Sequence, residues 1–325
     1  MSLGEFDLIR RYFERPGPAA PGVVLGIGDD CALLQPDAGQ RLAISTDMLV
    51  EGRHFFADVD PQALGHKALA VNLSDLAAMG ARPLGFTLAL ALPRADEAWL
   101  AGFSAGLFAL ADAAACPLVG GDTTQGPLNI SITVFGQLPP GQELRRSGAR
   151  AGDLVWVSGQ LGDARLALEA LLGQTALAPE WLARPRQRLE RPTPRLALGL
   201  ALRGIASAAA DVSDGLCGDL GHILAASGVG ADLELGALLG SDAISADLRA
   251  QPRERALRCA LAGGDDYELV FTAPAAAREA LLQAARAAAT PISCLGRISA
   301  EPGLRWRNEA GQPMELALAS FDHFA

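Results

Sequence analysis

Alternation of apolar and polar positions marks Val23–Ile27 and Arg41–Thr46 as strands, each rich in β-branched residues. Asp60-Pro61 supplies an N-cap and a first-turn proline, and the spacing after it predicts a helix ending near Gly80. Pro83–Leu92 reads as a strand. Asp96 opens a second helix, with Trp99, Phe103, Leu107 and Leu110 at helical spacing. A short strand at Leu118–Val119 and a longer one at Leu128–Leu138 complete an α/β first half.

Residues 139–153, PPGQELRRSGARAGD, lack periodicity and are rich in Pro, Gly and Arg, as a domain boundary should be. The pattern then predicts strand Leu154–Ser158, helices Ala164–Leu172 and Pro194–Arg203, a loop ADVSDG and helix Leu216–Ser227. Strand Ala231–Leu235, helix Arg253–Leu261 and strand Tyr267–Thr272 follow. Residues 174–193 show no period and read as a surface excursion.

Composition narrows the function. A chain of 325 residues, 50% hydrophobic, can bury a large core and divides most naturally into two domains. Glu5 and Asp7 stand where an export signal wants basic residues, and no apolar run approaches the roughly 18 residues of a membrane span, so a cytoplasmic protein without membrane contact is expected. Five isolated cysteines without a C-x-x-C pair read as reduced core thiols, and four scattered histidines give no zinc spacing. A formal net charge of −10 argues against nucleic acid as a partner. The only lysine, Lys67, follows His66, so neither a G-K-[ST] phosphate loop nor a V-A-I-K strand exists; it reads as a helix lysine with its head in solvent, ahead of the alternative that it points at a phosphate.

The candidate chemistry lies in aspartates. Asp29 and Asp30 follow the first strand in GIGDDCALL, Asp47 ends LAIST and Asp122 follows PLVGG, each also readable as a turn residue. Asp75 shares one helical stripe with Leu64, Ala68 and Val71, so it requires a donor or a cation. Asp211 and Asp214 flank a helix start, where Asp214 is equally readable as a cap. Hard oxygen donors of this kind, with hydroxyls from Ser45 and Thr46, suit magnesium held partly by substrate phosphates.

The motifs GIGDDCALL, AISTDMLVEGRHF, KALAVNLSDLAAMGA, LVGGDTTQGPL, RRSGARAGD, DVSDGL, GGDDYEL and FDHF together resemble the thiamine-monophosphate kinases, in the superfamily of aminoimidazole ribonucleotide synthetase and selenophosphate synthetase. The resemblance implies two domains, 1–148 and 149–325: an N-terminal half-barrel that pairs across a homodimer and binds ATP, and a C-terminal α+β domain. It implies ATP-dependent phosphorylation of thiamine monophosphate to thiamine diphosphate, the last step of that cofactor's synthesis. By motif, Asp30, Ser45, Thr46, Asp47, Asp75, Asp122 and Asp211 would hold several magnesium ions and Asp214 a further one. Gly121, Asp122, Arg146 and Ser213 would contact ATP, and His54, Asp265 and Phe321 would contact thiamine monophosphate. Asp265 departs from the Glu common in the family, and Phe321 from Tyr or Trp. Readings still open are another ATP-dependent superfamily member, a magnesium phosphohydrolase and a non-catalytic nucleotide-binding regulator.

Overall fold

The computed structural model describes residues 4–15 and 20–314. They form two compact units, one from residues up to 76 with 81–141, the other from 77–80 with those from 142 on.

In the first unit α1 (Glu5–Tyr12) precedes a two-stranded ladder of β1 (Val23–Leu25) and β2 (Leu33–Leu34). Then come β3 (Arg41–Val50), α2 (Pro61–Ala78, its last two residues counted with the second unit), β4 (Arg82–Leu92), α3 (Glu97–Ala113), β5 (Leu118–Gln125) and β6 (Asn129–Leu138). The four long strands make one sheet in the order β3-β6-β4-β5, with only β4 and β5 parallel. Ile130, Ile132 and Val134 on β6, with Phe86, Leu88 and Leu90 on β4, bury one face. Helices α2 and α3 cross closely: a Cβ on Gly65 would lie 2.0 Å from the Phe103 carbonyl oxygen, and one on Gly106 1.8 Å from that of Gln62. Only glycine admits that approach.

Three expectations change here. Strands β3 and β5 run on through Asp47 and Asp122, so neither aspartate ends a strand. Both strands are sheet edges, whose register is set by one partner; β5 follows β4 although GGDTTQ has no apolar alternation of its own. Lys67 is buried in α2, so its head is not in solvent.

The second unit runs β7 (Leu154–Ser158), α4 (Asp163–Leu171), α5 (Pro179–Glu190), α6 (Leu196–Ala201), β8 (Ala208–Val212) and α7 (Leu216–Ser227). It continues with β9 (Gly230–Glu234), α8 (Leu235–Leu239), α9 (Ala246–Arg249), α10 (Arg253–Ala262), β10 (Glu268–Ala273), α11 (Arg278–Ala287), β11 (Ile292–Ser299), β12 (Gly303–Arg307) and β13 (Pro313–Met314). Its seven-stranded sheet has the order β13-β12-β9-β11-β7-β10-β8, antiparallel except between β12 and β9. This is an α+β unit and not a parallel α/β one. Val155, Val157, Ala210 and Val212 pack with Leu216, Leu220 and Ile223 of α7 in one core; Trp156, Ala209, Leu269 and Phe271 pack in another with Leu198 of α6 and Leu281 of α11. Burial on both faces explains why these strands read as continuous apolar runs.

The stretch 174–193 is not without structure: it contains α5, begun by Pro179 and running on through Pro185. Asp211 lies inside β8 and not in a loop.

Candidate functional site

In the first unit the alternation of β3 sorts its polar side chains. Ser45 and Asp47 share one face and Thr46 takes the other. Ser45 Oγ donates to Asp75 Oδ2 at 2.5 Å, and the Asp47 backbone N–H donates to Asn72 Oδ1 at 3.0 Å. Asn72 is fixed by its own bond to the Ala68 carbonyl at 3.0 Å. Asp75 therefore sits on a stripe whose other members are buried, and Ser45 is one donor to it. Thr46 instead meets Thr133, Oγ1 to Oγ1 2.8 Å, across the other face.

A second group lines a cavity of about 920 Å³ within the same unit, where Asp29, Asp30, Thr87, Gly121 and Asp122 share walls with α1. The Asp30 backbone N–H donates to Asp29 Oδ1 at 2.9 Å, which folds the GDD turn. Gly121 lies so close to β4 that a Cβ would meet the Leu88 carbonyl oxygen at 1.9 Å. The structure thus brings together Ser45, Asp47 and Asp75 at the seam of β3 and α2, and Asp30, Gly121 and Asp122 at the cavity. It keeps the two groups apart along the sheet: Asp47 opposes Ile132, Ile132 opposes Leu88, and Leu88 opposes Gly121, next to Asp122. Three strand spacings make about 14 Å.

Among the described residues no three His, Cys, Asp or Glu side chains converge to hold a metal ion. The donors are nonetheless all hard oxygens, set in pairs. They fit magnesium, which keeps several waters and is held by one or two carboxylates together with substrate phosphates.

His54 follows β3 in a turn, half-buried, its Nδ1 accepting the Val50 backbone N–H at 3.0 Å. That bond leaves the ring proton on Nε2 in the neutral form.

In the second unit the loop after β8 gathers the remaining candidates. Asp265 donates its backbone N–H to the Ser213 carbonyl at 2.9 Å, and the Tyr267 hydroxyl donates to Asp265 Oδ1 at 3.2 Å. Asp265 has φ +65°, a left-handed backbone that Asp tolerates better than most residues. Ser227 Oγ donates to the Arg146 carbonyl and accepts the N–H groups of Gly148 and Ala149, all at 3.1 Å, and so holds the Arg146 loop beside α7.

The organising residue is one the sequence reading missed. Asp219, buried in the first turn of α7, accepts the backbone N–H groups of Ser213 and Asp214 through one oxygen, each at 3.0 Å. Asp214 is therefore not the cap of α7; its own N–H is captured by Asp219, and Gly215 takes the cap position without a side-chain bond. Burial pushes the Asp219 carboxyl up to about 7, with the Asp214 charge adding to the rise and the Arg146 charge opposing it. Arg146, Ser213 and Asp214 thus surround one carboxyl. Phe321 lies outside the described residues.

Comparison with known proteins places this arrangement. Residues 28–138 match the family model of AIR synthase related protein, N-terminal domain, and 150–307 match its C-terminal domain. The thiamine-monophosphate kinase of Salmonella typhimurium is 50% identical over 100% of this chain and 99% of its own length. The crystal structure of thiamine-monophosphate kinase from Stenotrophomonas maltophilia K279a, 49% identical, aligns with a TM-score of 0.82 over 90% of this chain and 93% of that one. AaThiL complexed with AMPPCP and TMP, 30% identical, gives a TM-score of 0.74 over 89% of each chain. The chain belongs to the thiamine-monophosphate kinase family, within the AIR synthase related proteins.

Proposed function

We propose that this protein transfers the γ-phosphoryl group of ATP to the phosphate of thiamine monophosphate, giving thiamine diphosphate and ADP. The observation that carries the reading is the pairing of Ser45 with Asp75 beside Asp47, a carboxylate-rich seam with hydroxyl support. Relatives of that name along the full chain support it, as does the neighbour complexed with AMPPCP and TMP.

The acceptor is a phosphate monoester, whose second pKa of about 6 leaves it mostly ionised at neutral pH, so no general base is needed. That agrees with a histidine whose Nδ1 is engaged by the backbone of Val50. Magnesium bound by Asp30, Ser45, Thr46, Asp47, Asp75, Asp122 and Asp211, with a further ion at Asp214, would supply the charge neutralisation that lets two polyanions meet in line. Gly121, where the close β4 backbone admits no side chain, is assigned to the nucleotide, Asp122 and Ser213 offer it oxygens, and Arg146 can take phosphate oxygens in a two-pronged contact. His54, Asp265 and Phe321 are assigned to thiamine monophosphate, whose cationic ring suits a carboxylate and an aromatic face.

The working unit in this reading is a cytoplasmic homodimer, with the nucleotide-binding domain at 1–148 and the α+β domain at 149–325. Its support is β3, a ten-residue edge strand that exposes Leu42, Ile44 and Met48 in a row. Such an edge invites a second strand, and a second copy of the sheet would cover it. Chromatography of the protein with ATP, magnesium and thiamine monophosphate tests the reaction. Thiamine diphosphate formed only when metal is present supports it; ATP consumed with release of inorganic phosphate alone overturns it in favour of a phosphohydrolase.

A further inference from the structure

Helix α5 brings Arg184 and Arg188 to a cavity of about 380 Å³ within the second unit, where Arg195 from the segment ahead of α6 joins them. Gln160 and Asp242 share its wall. Three guanidinium groups on one small cavity do not follow from composition in a chain of net charge −10.

The wall is built from inside by Glu268, which is 0% exposed. Arg195 grips it with two prongs, Nε to Oε2 at 2.6 Å and Nη2 to Oε1 at 2.5 Å, and Ser158 Oγ donates to Oε2 at 2.6 Å. The carboxylate occupies the space where Gly159 would carry a Cβ, 2.1 Å from Oε1, so glycine is required there. Burial alone would push Glu268 up, but Arg195 and Arg188 outweigh it and hold the carboxyl below its ordinary range.

One arginine and a hydroxyl already satisfy this carboxylate. Arg188 adds a second guanidinium to it, Nη2 to Oε1 2.6 Å, and reaches the Asp266 carbonyl at 3.4 Å. Arg184 is held by a neutral group, Nη2 to Gln160 Oε1 at 2.5 Å. Asp163 and Asp266 are buried as well, and burial raises the pKa of each, with the Arg188 charge opposing the rise. Asp242 is exposed and contributes a single charge at the wall. Arg184, Arg188 and Arg195 thus line the cavity together, with Asp242 the acidic side chain on its wall.

We propose that this cavity binds a phosphate-bearing small anion without a metal ion, with Arg184 and Arg188 taking its oxygens while Glu268 and Arg195 hold Arg188 in position. The planar guanidinium fork matches phosphate geometry and needs no bridging cation, unlike the carboxylate-lined sites of this protein. The volume falls in the small-molecule range of about 300–1,000 Å³ and exceeds what a single orthophosphate fills, so a diphosphate or a phosphorylated metabolite is the better fit. This site stands or falls independently of the kinase reading.

The test is calorimetric titration of inorganic diphosphate, and separately of orthophosphate, into the full chain in EDTA, where carboxylate sites lack the cations that would hold phosphates. Diphosphate is expected to bind saturably at one site per chain and more tightly than orthophosphate. Arg184→Glu should weaken it by at least about tenfold with an unchanged melting curve, since Arg184 is exposed and its side-chain bond is to a neutral glutamine. If that variant melts lower, Arg184→Gln replaces it with the same expectation in direction. Asp122→Asn should bind as the parent does. Absence of saturable binding to the parent, equal binding by Arg184→Glu, loss of binding in Asp122→Asn, or orthophosphate binding as tightly as diphosphate overturns the proposal.

Discussion

The Ser45 hydroxyl donates to the Asp75 carboxylate across 2.5 Å, joining the middle of β3 to the C-terminal half of α2. A short bond from a hydroxyl fixes the orientation of the carboxyl group. Asp75→Asn keeps an oxygen for Ser45 and removes the charge. Turnover should fall by at least about 100-fold while the melting temperature stays near that of the parent. Near-normal turnover in that variant would refute a metal role for Asp75.

Val50 holds His54 through its Nδ1. His54→Ala should raise KM for thiamine monophosphate several-fold more than KM for ATP, because the change removes a group that meets one substrate only. Equal increases, measured at saturating levels of the other substrate, would withdraw the assignment.

Asp219 makes stability depend on pH. Its carboxyl is raised from 3.8 to about 7, first by burial and then by the Asp214 charge. Between those values the folded chain keeps a proton that the unfolded chain has lost, so stability falls as pH rises through the window and levels off above it. Asp219→Asn has no proton to lose there. Melting temperatures in metal-free buffer should decline more steeply for the parent than for the variant from pH 5 to 7; parallel curves would show that Asp219 is not protonated in the fold.

Ile44 is 59% exposed on the β3 edge strand, flanked on the same face by Leu42. Ile44→Lys should convert a particle of twice 33.7 kDa into one of 33.7 kDa in sedimentation, since a charge on such an edge opposes strand pairing. A parent protein that already sediments as a single chain at micromolar concentration contradicts the dimer.

What could be read from sequence was what is decided locally. Asp60 accepts the N–H groups of Gln62 at 3.2 Å and Ala63 at 3.3 Å ahead of Pro61, as the motif predicts, and Asp96 caps α3 by accepting those of Ala98 and Trp99. The stripe that holds Asp75 followed from helical period alone. What escaped is decided by partners distant in sequence. Strand β5 borrows its register from β4, so the extension through Asp122 left no mark in GGDTTQ. Helix α5 carries Pro185 and few apolar residues; Leu189 is buried and Arg188 is anchored on Glu268, eighty positions later. Asp219 resembles any first-turn acid, and its function rests on two backbone N–H groups that only the folded loop aims at it.

The central claim is that the carboxylates of the first unit seat the ions between two phosphate substrates. Anomalous diffraction from crystals grown with manganese in place of magnesium, an unhydrolysable ATP analogue and thiamine monophosphate tests it most directly. The account predicts manganese peaks within about 2.5 Å of oxygens of Asp30, Asp47, Asp75 and Asp122, with substrate phosphates completing the coordination. Peaks elsewhere, with these four carboxylates remote from any ion, would contradict it.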